Sequence, residues 1–422
     1  MNENPFFSDK DSDLLKQGSV RDYLGLVPVW SKIARKLEPN LSGAIQSYLG
    51  LEAVLFIYYL EQEHVPESLK QNNNFRELFR YMEGLIEYHL YHNLNVEPCY
   101  GSRLLKGNGP DVEVKFSSVT AVNGLYQFYR GTCRRAGMLS KNWVLDEKAL
   151  STIKTLCAPH SGAVNKLIQL IEKMTLSGVK VIKPSEVFAN EQIVVLFNVL
   201  FKSKKLKEYI RNCLYIDKEL EYYASACSSV KSQPKVLGVG SELNPVQHLK
   251  AYIDSNNKQW SHFSELELIQ DCEPFLALLD DCFQFLHLHD GRKLSVLESL
   301  LTEPDVKQAM RDKSVSFIRS LSINSGIESD RIKLLLEIAG LLVKEDVKAF
   351  LLGLLEYHRK IMKSRGAGSM IHLDGCELRV SSEIHNADQN QLLKSICNES
   401  PWKNGYYINT TARIYNQLHG ER

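Results

Sequence analysis

Between Ser42 and Leu418 the apolar residues recur almost throughout at three- and four-residue steps, the period of helices with one buried face. Alternation replaces that period over SMIHLDGCELRVS, 369–381, where Asp374-Gly375 is a dipeptide favoured in tight hairpin turns. A shorter run, VKVI at 179–182, reads as a strand or extended connector ended by the rigid ring of Pro184. The chain is therefore expected to be mainly α: a two-domain helical protein with a small β-hairpin near the C-terminus.

The apolar spacing predicts helices near 42–62, 66–92, 145–157, 160–175, 190–201, 203–226, 246–255, 264–289, 293–301, 303–322, 329–342, 344–363, 388–397 and 406–418. Ser329 and Asp330 are placed to cap one of them. The clearest break in composition is SSVKSQPKVLGVGSELNP, 228–245, which is rich in Ser, Gly and Pro and has no helical period. It is expected to link an N-terminal helical domain, 1–227, to a C-terminal one, 246–422, that carries the hairpin 369–381. Gly238-Val-Gly240 within it is no dinucleotide fingerprint, because the third glycine and a preceding strand are missing.

At 422 residues the chain has length enough for two or three cores. Hydrophobic residues make up 44% and charged residues 24%, which separates it from disordered and membrane classes. A formal net charge of +1 gives no global field to recruit nucleic acid, so any such contact must come from a local patch. Nine cysteines without a C-x-x-C pair point to buried apolar roles in a reducing compartment. The most apolar run, Ala53 to Leu60, is far shorter than the roughly 20 residues of a bilayer crossing. With no secretory pattern in MNENPFFSDKDSD, a cytoplasmic protein without membrane contact is expected.

Turn residues, aromatics and arginines concentrate between Cys99 and Leu139. Gly101, Gly107, Gly109 and Pro110 mark a loop, and Val122, Leu125, Tyr126, Tyr129 and Cys133 then resume a helical period. Arg103, Lys106, Arg130, Arg134 and Arg135, with Lys115 nearby, form a candidate nucleic-acid surface. Guanidinium beside Tyr126, Phe128 and Tyr129 suits phosphate or base contact. The alternative is that the tyrosines are core and the arginines pair with Glu97, Asp111 and Glu113. The basic segment KSKKLKEYIRN, 202–212, reads mainly as a solvated helix face.

Catalytic patterns are incomplete. His289-Asp290, with His287 close by, matches the adjacent pair of HD phosphohydrolases but lacks its further His and Asp partners. His248, Lys250 and Asp254 miss the phospholipase D spacing by one residue. His372, Asp374, Glu383 and His385 could gather as in metal nucleases, and His89 with His92 lack a third ligand. No catalytic residue, metal or cofactor is assigned.

Residues 21–139, about a third of the chain, carry a recognisable order of features. An RD-x-LG element (Arg21, Asp22, Leu24, Gly25) precedes a helix with Phe56, Tyr58 and Tyr59 near its end. FRELFRYMEGL, a YGSRLLKG loop and an arginine-rich segment ending at Gly137 follow. This order resembles helical proteins encoded in prokaryotic defence islands beside helicases, phospholipase D-type nucleases or SMC-like ATPases. The resemblance implies a non-catalytic adaptor or scaffold in a multi-protein DNA-surveillance or anti-phage complex, with ATPase, helicase or nuclease subunits as partners. DNA contact through the basic patch is part of that expectation. A metal-dependent nuclease or phosphohydrolase and a stand-alone nucleic-acid binder are the competing expectations.

Overall fold

The computed structural model describes residues 22–66, 74–97, 114–115, 124–178, 181–231, 244–256, 260–323, 329–381, 388–399 and 401–420, with Cys99 and Leu105. The protein is mainly helical, with a small antiparallel hairpin near the C-terminus. The chain divides into two compact units: Met1–Ile33 with Glu267–Asn404, and Ala34–Leu266 with Gly405–Arg422. These boundaries differ from the expected 1–227 and 246–422. The linker expected at 228–245 has residues 228–231 in a helix, and its residues 232–243 lie outside the described ones.

The larger unit, 34–266 with 405–422, is built around α2, Leu49–Glu63. Its sequence LGLEAVLFIYYL is apolar on every side, and every residue from Leu49 to Leu60 is buried. A helix hydrophobic all round needs cover all round. Here α3, Asn74–Tyr88, extended by a π turn at His89–Asn93, packs on it, as do α4, Arg130–Arg135, and the π turn Leu125–Tyr129 that leads into α4. Three further helices complete the cover: α5 (Glu147–Cys157), α8 (Glu191–Phe201) and α9 (Lys204–Leu214). Between them in sequence lie α6 (Ser161–Leu176) and α7 (Pro184–Phe188).

The VKVI segment becomes the two-residue strand β2, Val181–Ile182, antiparallel to β1, Val114–Lys115. The helix expected over 203–226 is two, α9 and α10 (Lys218–Lys231). The break has a local cause: the Asp217 side chain accepts a hydrogen bond from the Leu220 amide at 2.8 Å and starts a new helix. On α10 pack α11, Pro245–Asn256, and α18, Ile408–His419, so the helices on either side of the expected linker belong to one unit.

The smaller unit, 1–33 with 267–404, contains α1 (Val27–Ala34) up to Ile33 and the greater part of α12 (Phe263–His287). It continues through α13 (Leu294–Leu301), α14 (Pro304–Ile323), α15 (Asp330–Val343) and α16 (Val347–Ser364), and ends with the hairpin and α17 (Gln389–Cys397). Ser329 caps α15 by accepting from the Ile332 amide at 3.3 Å, as its position predicted. The hairpin pairs β3, Ile371–Asp374, with β4, Glu377–Val380. Its turn sits one residue later than expected: Asp374 pairs with Glu377, leaving Gly375 and Cys376 as the central residues. Only Gly375 has positive φ, +61°, which is the requirement of a turn with glycine first.

Long-range bonds tie residues 22–30 into this unit. Trp30 Nε1 donates to Glu273 at 2.7 Å, and Arg331 donates to the Gly25 carbonyl at 2.9 Å. The buried His358 accepts the Met370 amide on Nε2 at 2.9 Å, so its Nδ1–H is left to donate to the Tyr23 carbonyl at 3.1 Å.

Candidate nucleic-acid interface

Tyr129 decides how the arginines of α4 are presented. Its ring lies against α2 at Gly50, where a Cβ would overlap it. Its hydroxyl accepts from the amides of Gln46 at 2.9 Å and Ser47 at 3.3 Å and donates to the Cys99 carbonyl at 3.2 Å. Those two amides are thereby committed to a side chain, and α2 starts at Leu49 rather than at the expected Ser42. The Leu125 amide at the head of the π turn donates to buried Glu83 at 3.2 Å. The wider turn of a π segment re-aims the side chains that follow it. Leu125 and Tyr129 are buried, while Tyr126 and Arg130 remain half-exposed.

On that half-exposed side, cations and aromatic rings alternate. The Arg130 guanidinium carbon lies 3.8 Å from the Tyr126 ring centre and 4.1 Å from that of Trp143. Arg76 of α3 lies 5.7 Å from the Tyr126 ring centre, and Arg134 lies 5.0 Å from that of Trp143. Each such contact contributes about 0.5–1 kcal/mol at an exposed site and holds a long side chain in one orientation. Among the described residues no carboxylate forms an ion pair with Arg76, Arg130 or Arg134, and Arg130 Nε, which is buried, has no hydrogen-bond partner.

Trp143 reaches this position from a strained loop. Its φ is +63°, a left-handed conformation uncommon for a bulky side chain, costing about 1–3 kcal/mol. The loop 140–144 imposes it. Ser140 donates its amide to the Val144 carbonyl at 2.8 Å, the Trp143 amide returns to the Ser140 carbonyl at 3.1 Å, and Ser140 Oγ accepts from Asn142 and Val144.

The other residues of the expected patch are placed differently. Arg135 turns back onto its own unit, donating to the Asn40 carbonyl at 2.8 Å, the Leu41 carbonyl at 3.4 Å and Thr132 Oγ1 at 3.0 Å. Burial, followed by the nearby Arg35 charge, lowers its pKa. Arg103 and Lys106 lie outside the described residues, as do Asp111 and Glu113, and of Lys115 only the backbone is described. Arg76 and Trp143 were not singled out by sequence spacing: each sits in another segment, and only folding brings them to Tyr126 and Arg130.

Among the described residues the catalytic candidates do not converge. His289 Nδ1 is 2.7 Å from the Phe285 carbonyl and Nε2 is 2.9 Å from the Gln389 side-chain amide. Asp290 accepts the Val380 amide at 2.9 Å and so anchors the hairpin. His287 is buried, and that burial lowers its pKa. Asp374 lies 3.8 Å from Arg379, whereas Glu383 and His385 lie outside the described residues. Lys250 rests over the Phe263 ring at 5.1 Å. His89 is buried among Phe188, Phe197 and Phe201, with its pKa pushed down to about 4 by burial, while His92 packs on Tyr88 and Tyr91. Among the described residues no group of three His, Cys, Asp or Glu side chains is arranged to hold a metal ion. No described helix is long and apolar enough to cross a membrane.

In comparisons with protein-family models, with curated proteins and with solved structures, nothing matches this chain.

Proposed function

We propose that this protein is a non-catalytic adaptor or scaffold subunit of a multi-protein prokaryotic DNA-surveillance or anti-phage complex that touches nucleic acid through Arg130 and Arg134. The observation that carries the nucleic-acid part is the run of arginines held by Tyr126 and Trp143 with no carboxylate partner among the described residues. Other arginines of this protein meet a carboxylate or a carbonyl, as Arg359 meets Glu356 at 2.6 Å and Arg331 the Gly25 carbonyl at 2.9 Å. Guanidiniums stacked on rings and left unpaired are ready to meet an external anion. The adaptor part rests on the resemblance of residues 21–139 and on the structural engagement of His289 and Asp290.

The test combines binding with recovery of partners. Charge reversal at Arg130 and Arg134 together is expected to weaken DNA binding at least tenfold at low salt and to flatten its salt dependence. Unchanged affinity and slope would remove the nucleic-acid contact. Purification of the tagged chain from its host at moderate salt is expected to bring an ATPase, helicase or nuclease subunit with it. Hydrolysis of nucleic acid by the purified chain with Mn²⁺, lost on His289→Ala, would instead establish the enzyme reading.

A further inference from the structure

We infer that the arginine–aromatic run at Tyr126, Arg130 and Trp143 takes the phosphodiester backbone of a nucleic acid and does not read or stack its bases. The inference rests on the nucleic-acid contact proposed above and names what part of the ligand that surface recognises.

Base-stacking surfaces offer free aromatic faces. Here guanidinium groups already lie against both rings. Arg130 occupies the space between Tyr126 and Trp143, at 3.8 Å and 4.1 Å from their centres, and Arg76 and Arg134 approach the same two rings. A base could stack there only by displacing a cation held by two rings. The rings instead hold arginines in place: Arg130 Nε is buried, and its terminal N–H groups, which lie in the guanidinium plane, are left for a ligand. Planar, paired donors match the two free oxygens of a phosphodiester. The strained backbone of Trp143 fits this role, because the loop fixes the ring against Arg130 at a conformational cost. Three guanidiniums on one surface can meet about three phosphates, for which the logarithm of affinity should fall with the logarithm of salt at a slope near −2 on single strands.

The experiment is fluorescence anisotropy with the full chain and labelled oligomers of about fifteen nucleotides: oligo(dT), oligo(dA) and an abasic strand that keeps the sugar-phosphate backbone. Binding of all three within about threefold, lost at least fivefold in Arg130→Gln and in the uncharged change Trp143→Ala, is expected. Trp143→Phe should restore binding, because a smaller ring still holds Arg130. Loss of the abasic strand by tenfold or more, with oligo(dT) still bound and still dependent on Arg130, would overturn backbone recognition and leave the nucleic-acid contact standing. Displacement of the oligomer by polyglutamate at equal charge concentration would overturn it in favour of an acidic protein partner. Failure of every strand to bind at low salt would overturn both the inference and the contact on which it rests.

Discussion

At the scale of single residues, buried titratable groups, two carboxyls foremost, shape the pH response of the larger unit. Burial raises Glu38 to about 7, although the Asn40 and Leu41 amides and Thr411 donate to it and favour its ionised form. Burial likewise raises Glu83 to about 8 against the hydrogen bond from the Leu125 amide. A carboxyl whose folded pKa lies above its unfolded value near 4.5 stabilises the fold fully below that value. That contribution is lost as pH rises through 7 for Glu38 and through 8 for Glu83. Burial also pushes His89 of the same unit down to about 4, so its stabilisation grows as pH rises from 4 to 6.5 and opposes that loss; urea unfolding should therefore show a clear fall in stability only between about pH 6.5 and 8. Glu38→Gln, which retains an acceptor for the two amides, should remove up to roughly 3 kcal/mol of the stability lost as Glu38 ionises. A variant with the same pH slope as the parent would show that Glu38 is not the source.

Elements depend on a few close approaches. Gly50 lets α2 meet the ring of Tyr129, and that ring fixes both the start of α2 and the π turn before α4. Gly50→Ala should cost about 3 kcal/mol by thermal or urea denaturation, because neither the ring nor the helix backbone can yield cheaply. Adding Tyr129→Leu should give a double variant less destabilised than the sum of the two single changes, since the smaller side chain relieves the overlap. Additive costs would separate Gly50 from Tyr129.

In the smaller unit, considered by itself, closure depends on a polar seam along α12. Glu273, Asp280 and Asp281 are seven and eight residues apart, which places them on one side of the helix. Residues 401–404 answer them: the Lys403 and Asn404 amides donate to Glu273 at 2.6 and 3.0 Å, and the Lys403 ammonium contacts Asp280 at 2.6 Å and also Asp281. Burial opposes the charge on Lys403, and the two carboxylates outweigh it and hold its pKa up. Ser395 of α17 also donates to Asp281, and Lys313 of α14 donates to the Ile396 carbonyl. Lys403→Met should destabilise this unit by about 3 kcal/mol, because it leaves Asp281 buried without its cation. Hydrogen exchange should then rise first in α17; faster exchange confined to residues far from α12 would contradict that account.

The sequence by itself determined the helical class, the cap of α15 and the hairpin, because period and turn chemistry act within a few residues. Apolar spacing of three and four marks most of the helices, Ser329 caps α15 as its position predicts, and a glycine beside Asp374 turns β3 into β4. The proposed nucleic-acid surface was legible only in part: Arg130, Arg134 and Tyr126 stand close together in sequence, and their neighbourhood survives folding. Tertiary structure alone decided that Trp143 and Arg76 join them and that Arg135 bends back onto the Asn40 carbonyl. It also decided that residues 267–404 form a unit with 1–33 while 405–422 return to 34–266. The composition break at 228–245 does not separate the two units: residues 228–231 continue α10, and α11 beyond the break belongs to the same unit. Which segments share a core depends on long-range packing, such as α18 on α10, that no local pattern encodes.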